Sequence, residues 1–293
     1  MLSVGDGHAL NVIEWGNKQA KAKIIFLHGG PGSQVKDKYR AAFDPKLHHV
    51  IFFDQRGAGE STPTGSLENN TTEHLIADIS KIADHCNFAQ FYLHGSSWGS
   101  ALALAYALEC PKRVKGLILG GIYTGSQAEN DWIDKGQFKP FFPDVWDAYV
   151  GRTPEQFKDD PSAYHFDKIL NGTAEEQKRS AYAYDCLESG AIKLDDRSVA
   201  ENFDDYDASG IRIEVHYLSQ NCFMVDRHII DNAHKLTMPV WMVQGRYDMI
   251  CPPQTAYELH QKLPNSKLYW TISGHASEHE NENIFRAILA ELG

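Results

Sequence analysis

The stretch from Phe91 to Cys110, FYLHGSSWGSALALAYALEC, constrains this chain more than any other. A short apolar strand runs into a serine set between small residues, and an Ala/Leu-rich helix follows until Pro111 stops it. A buried strand feeding straight into an apolar helix belongs in a parallel sheet covered by helices, an α/β fold. The rest of the first half repeats the pattern. KIIFLHG (23–29), HVIFFDQ (49–55) and VKGLILGGI (114–122) read as further buried strands. TTEHLIADISKIADHC sets Leu75, Ile76, Ile79 and Ile82 at helical spacing, with Thr71 or Thr72 placed to cap its start. From Tyr123 to Asp226 the texture changes to aromatic and acidic residues interleaved with Gly and Pro, which reads as an inserted, mainly helical cap. Strand patterns resume in MPVWMVQGRYD (238–248) and KLYWTISGH (267–275), and NENIFRAILAELG closes the chain as a helix. The expected organisation is a core from 1–122 and 227–293 with the cap at 123–226, and no internal repeat.

Composition narrows the partners. A formal charge of −11 with no cluster of Lys and Arg disfavours nucleic acid and anionic membranes. No stretch has the length and apolarity of a membrane span, and MLSVGDGHALNVIEWG lacks the basic start and apolar run of a secretory leader. Five cysteines, odd in number and without CxxC spacing, fit reduced thiols. A cytoplasmic address follows as the expectation, the sequons at Asn69, Asn70 and Asn171 are read as chance, and a monomer is favoured.

Gly95-Ser96-Ser97-Trp98-Gly99 matches G-x-S-x-G directly after a strand and before a helix, the context in which a sharp turn projects a nucleophilic serine. Ser97 is the candidate nucleophile. A serine hydroxyl needs a base, and the base needs an orienting acid. Asp248 and His275 each end a predicted strand and follow Ser97 in the order Ser, acid, His, the order of the α/β-hydrolase fold. Gly29 and Gly30, in the loop after the strand IIFLHG, would supply one oxyanion donor and the Trp98 N–H the other. Two patterns are set aside. His275 and His279 have the spacing of a zinc pair, but Ala276 stands where HExxH needs its Glu, and Asp204, Asp205 and Asp207 lack the glycine and terminal Glu of a calcium loop. No metal and no cofactor is expected.

HGGPG (28–32), DQRGAGEST (54–62), GSSWGSALALAYA (95–107), GRYDMICPP (245–253) and SGH (273–275) together resemble the prolyl aminopeptidase (proline iminopeptidase) family along almost the whole chain. The resemblance implies an α/β-hydrolase core with a helical cap, release of an N-terminal proline from small peptides, and Ser97, Asp248 and His275 as the triad. It also implies cap glutamates that bind the substrate's free α-amine. YDCLESGAIKL and RIEVHYLSQNCF match the segments that carry them, which places them at Glu188 and Glu214. Trp132, Phe141, Trp146, Tyr184 and Tyr217 are candidate walls for the proline ring. The chain departs from the family pattern at Ser96, Glu60 and Gly120; these changes spare the triad and bear on the substrate pocket. A broad arylamidase or carboxylesterase with the same triad is the alternative, and a non-catalytic ligand binder a remoter one.

Overall fold

The computed structural model describes residues 1–194, 203–276 and 280–293. Seven strands form one sheet in the order Val12–Gly16, His48–Phe53, Ala22–Leu27, Phe91–Ser97, Val114–Ile122, Val240–Gly245, Ser266–Thr271. Every neighbouring pair is parallel except Val12–Gly16 with His48–Phe53. All six residues of His48–Phe53 are buried. That is what a central parallel strand with both faces covered requires, and it explains the unbroken apolar runs. One face packs on the helices Thr72–His85 and Trp98–Glu109 through Leu75, Ile79, Ile82 and Leu102. The other packs on the C-terminal helix Glu280–Ala290 through Phe285, Ile288 and Leu289.

The predicted strands all appear, with their ends redrawn. Phe91–Ser97 runs two residues beyond FYLHG because its pairing with Val114–Ile122 continues to Ser97 opposite Ile122. The last two strands stop at Gly245 and Thr271, leaving Asp248 and His275 on the loops beyond them. Thr71 stands at the N-cap of Thr72–His85 without capping it; its hydroxyl pairs with His74 Nδ1 at 2.8 Å instead. The hairpin Leu2–Gly5/His8–Leu10 and the antiparallel edge strand Val12–Gly16 were not foreseen from the sequence.

Between Ile122 and Val240 the described residues form helices and turns and no strand. Gln127–Asp134, Pro143–Gly151, Pro161–Asn171, Ala174–Ala191 and Ser209–Leu218 share an aromatic core of Phe138, Tyr149, Tyr184 and Tyr206. Gly210 is the point where this layer meets the sheet's loops. A Cβ on Gly32 would lie 2.3 Å from the Gly210 carbonyl oxygen, so the HGGPG loop and the helix Ser209–Leu218 approach backbone to backbone. One turn along that helix, Glu214 faces the same way and hangs over the loop.

Candidate active site

Where the strand order places Ala22–Leu27 beside Phe91–Ser97, the loops after both strands open onto one crevice at their C-terminal ends. Ser97 sits there with φ 57 and ψ −130, a left-handed conformation that a residue with a side chain adopts only under constraint. The constraint is packing. A Cβ on Gly95 would lie 2.3 Å from the Gly99 carbonyl oxygen, and one on Gly99 would lie 2.2 Å from that of Leu27. Only glycine at both positions lets strand turn into helix within this space, and the turn leaves Ser97 at the N-terminus of Trp98–Glu109, where developing negative charge is favoured.

Asp248 is 1% exposed and is held by the backbone N–H groups of Ile250 (3.0 Å) and Cys251 (2.8 Å) and by Gln244 Nε2 (3.2 Å). His275 Nδ1 donates to it at 2.9 and 3.1 Å. Burial pulls the imidazole pKa down, but the charge and hydrogen bonds of Asp248 outweigh this and leave it above its ordinary value. The space for this pair comes from Gly121, at φ 45, where a Cβ would lie 3.0 Å from His275 Cε1. Ser97 and His275 line the same cavity. Among the described residues the serine hydroxyl makes no hydrogen bond to His275; Cys251 Sγ, 4.0 Å away, is its neighbour. Such bonds are commonly long before substrate arrives and tighten with it.

Gly29 and Gly30 face Ser97 from the loop, with a Cβ on Gly29 reaching within 3.4 Å of Ser97 Cβ. Sequence reasoning passed over the residue that joins this loop to Trp98. Gln55 Nε2 donates to the His28 carbonyl at 2.9 Å, and Gln55 Oε1 accepts from the Trp98 indole at 2.8 Å. The Gln55 backbone N–H donates to His28 Nε2 at 3.0 Å, so His28 Nδ1 carries the proton it gives to the Gly29 carbonyl at 2.9 Å. Gln55 thus ties both expected arms of the oxyanion site together. Gln55→Leu is expected to lower kcat by about 10- to 100-fold with little change in KM, because loss of one donor outright costs about 10²–10³ and here the arms are only loosened. Steady-state kinetics of the folded variant check this.

The cavity over these residues measures 770 Å³, and a recess of 40 Å³ opens from it beside Ser97. Tyr123, Ile133, Tyr184, Leu218, Ile250 and Cys251 wall the recess, and three carboxylates reach it: Glu129, Glu188 and Glu214. They are not equivalent. Glu129 accepts from the Thr124 and Ser126 backbone and hydroxyl groups and completes a capping box for Gln127–Asp134. Glu188 and Glu214 accept no hydrogen bond from any described residue. Burial raises both their pKa values well above the carboxylate range, and each is pushed further by the other or by Asp185 and Asp134. Glu214 is 9% exposed and Glu188 half-buried, both carboxylates open onto the cavity, and a cation arriving between them supplies the partner they lack.

Of the five aromatic residues considered for the pocket, only Tyr184 lines the recess. Trp132 donates to the Met249 carbonyl at 2.8 Å, Trp146 packs on Phe138, Tyr217 packs on Trp98, and Phe141 is 63% exposed. Among the described residues no cluster of His, Cys, Asp and Glu is arranged to hold a metal, and His279 lies outside them. The five cysteines are free thiols, and no described helix is long and apolar enough to cross a membrane.

Comparison with known proteins places this arrangement. A family model for the alpha/beta hydrolase fold matches residues 23–276, the class that the sheet and its strand-to-helix turn define. A probable proline iminopeptidase of Leptolyngbya boryana is 37% identical over 273 residues, covering 92% of this chain and 85% of that protein. The proline iminopeptidase of Arabidopsis thaliana is 36% identical, over 91% of this chain and 72% of its own. Among solved structures, the α/β hydrolase MGS-M2 from a Medee basin deep-sea metagenome library superposes with a TM-score of 0.66 at 17% identity, covering 99% of this chain and 96% of that one. The chain belongs to the proline iminopeptidase family of α/β hydrolases.

Proposed function

We propose that this protein is a serine exopeptidase that releases an N-terminal residue, preferentially proline, from small peptides through an acyl-enzyme. Residues 123–226 act as a cap over a core formed by 1–122 and 227–293. The observation that carries the reading is the pair of carboxylates, Glu188 and Glu214, in the recess beside Ser97, which accept no hydrogen bond from any described residue. An exopeptidase counts from the chain end, so its site must reward a free ammonium and reject an internal amide. An unsatisfied carboxylate pair does both. The recess, with its apolar and aromatic walls, suits a compact ring.

With the ammonium held there, Ser97 Oγ attacks the first peptide carbonyl while His275 takes its proton. The oxyanion forms at the N-terminus of Trp98–Glu109, facing the N–H groups of Trp98 and of Gly29 or Gly30. His275 returns the proton to the leaving amine, and water, activated by the same imidazole, releases the proline. Asp248 holds the imidazole in register throughout.

The test compares proline arylamide with its N-acylated form. Turnover of the free amine alone supports the reading; equal turnover of both makes the protein a general amidase or esterase. The pH profile adds a second check. His275 must be neutral to act as base, and Asp248 stabilises its charged form, so kcat is expected to fall with acidification through a pKa above the ordinary His value of about 6.5. An acid limb below 6 would contradict the pairing.

A further inference from the structure

We propose that Lys36 and Lys38 form a carboxylate-recognising end of the catalytic cavity, so that the preferred substrates are short peptides whose free C-terminus reaches these lysines. The proposal rests on the exopeptidase reading above and names its substrate class.

The cavity lining divides by charge. Asp185, Glu188, Asp207 and Glu214 come from the helical layer, whereas Lys36 and Lys38 come from the segment that follows the HGGPG loop. That segment is anchored. The Val35 N–H donates to Asp54 Oδ1 at 2.7 Å, and the same buried carboxylate accepts from Asn11 Nδ2 and the Glu60 N–H, both at 3.0 Å. Beyond Lys38, the Tyr39 ring lies 4.8 Å from that of Phe26 at the strand end. The lysines therefore extend from a segment tied down on both sides.

Nearby acids do not neutralise them. Asp37 pairs with Arg40 at 3.1 Å, and Glu282, which lines the cavity from the C-terminal helix, lies 3.5 Å from Arg286. Neither the Lys36 nor the Lys38 ammonium has an ion-pair or hydrogen-bond partner among the described residues. The lining thus carries acids on the helical layer and two exposed lysines without an ion-pair partner on the segment after the HGGPG loop. A zwitterionic peptide, ammonium first and carboxylate last, is a dipole of the matching sense. Phe26 and Phe285 also line the cavity with the buried His94, and Phe26 touches Tyr39 next to Lys38, so an apolar residue fits near the lysines. At 770 Å³ the cavity falls in the usual range for small ligands of about 300–1,000 Å³, room enough for a di- or tripeptide.

Lys36 and Lys38 make contacts that are the same in ground and transition states, so their effect falls on KM. The test measures kcat/KM for Pro-Ala-Ala as the free acid and as the C-terminal amide. The wild type is expected to prefer the acid by roughly tenfold at low ionic strength, with the difference carried in KM and reduced at high salt. In Lys36→Ala/Lys38→Ala the acid-to-amide ratio is expected to approach one, and in Lys36→Arg/Lys38→Arg to be retained. Because the ratio is taken within each variant, partial loss of folded protein cancels from it. Equal use of acid and amide by the wild type, or a preference that survives the double alanine change, overturns the proposal while leaving the exopeptidase reading intact if proline arylamide is still hydrolysed. If proline arylamide is inert toward the wild type, the exopeptidase reading fails and this proposal with it.

Discussion

Replacing Ser97 with glycine is expected to abolish turnover and raise the melting temperature, whereas replacing it with alanine should abolish turnover alone. The difference lies in the backbone. At φ 57 and ψ −130 a residue with a Cβ is strained, which costs on the order of 1–3 kcal/mol. Glycine adopts this conformation freely but gives the unfolded chain more freedom, which offsets about 0.4–1 kcal/mol. The balance favours Ser97→Gly by up to about 2.6 kcal/mol, a rise of up to a few degrees for a chain of this size. Ser97→Ala keeps the Cβ and the strain. Both variants lose the nucleophile, and kcat should drop by about 10⁴-fold or more. Thermal unfolding with arylamide assays reads both effects. A glycine variant melting at or below wild type would show that the turn stores no strain, and residual activity near wild type in Ser97→Ala would remove the serine from the mechanism.

This strain was invisible in the sequence, although the glycines that accommodate it were not. The pentapeptide Gly95 to Gly99 was legible because its neighbours read as strand and helix on either side; which contacts force the turn, the Gly99 and Leu27 carbonyls, emerges only when two strands lie side by side. Parallel strands of a covered sheet announce themselves as apolar runs, so six of the seven strands could be placed from sequence to within a few residues. Val12–Gly16, reading VIEWG, carries no such run because it is an edge strand with no residue fully buried. Gln55 stands inside the DQRGAGEST motif, yet its task of joining His28 to Trp98 depends on a contact across 43 residues. The recess shows the same limit. Its walls come from separate segments around Tyr123, Ile133, Tyr184, Leu218 and Ile250. Large aromatics were the natural guess, but in a helical layer most of them build its own core. Glu188 and Glu214 entered through resemblance alone, and the property that sets them apart from Glu129, the lack of a donor among the described residues, exists only in three dimensions.

That property makes Glu188→Gln/Glu214→Gln the variant with the largest expected effect outside the triad. Removing charges that meet a buried ammonium typically costs 2–5 kcal/mol or more, so kcat/KM for free-amine substrates should fall by about 10²–10³-fold, while any slow turnover of N-acylated substrate should not. Stability should move the opposite way. Both carboxyls titrate above their unfolded values, chiefly through burial. A group raised in this manner contributes stability that is complete below the ordinary carboxylate pKa and is lost as pH rises through its folded value. The wild type should therefore lose melting temperature between about pH 5 and pH 9, and the double variant should lose less. Asp134, buried behind Tyr184 and pushed up to about 7, leaves some of the slope in place. The same linkage works through substrate. An ammonium between Glu188 and Glu214 draws them toward the ionised form, so binding of prolinamide near pH 7 should release protons, seen by calorimetry in buffers of different ionisation enthalpy. If the double variant binds prolinamide as tightly as wild type, with the same proton count, the amine site lies elsewhere in the cavity and the counting of residues from the chain end must be assigned to other groups.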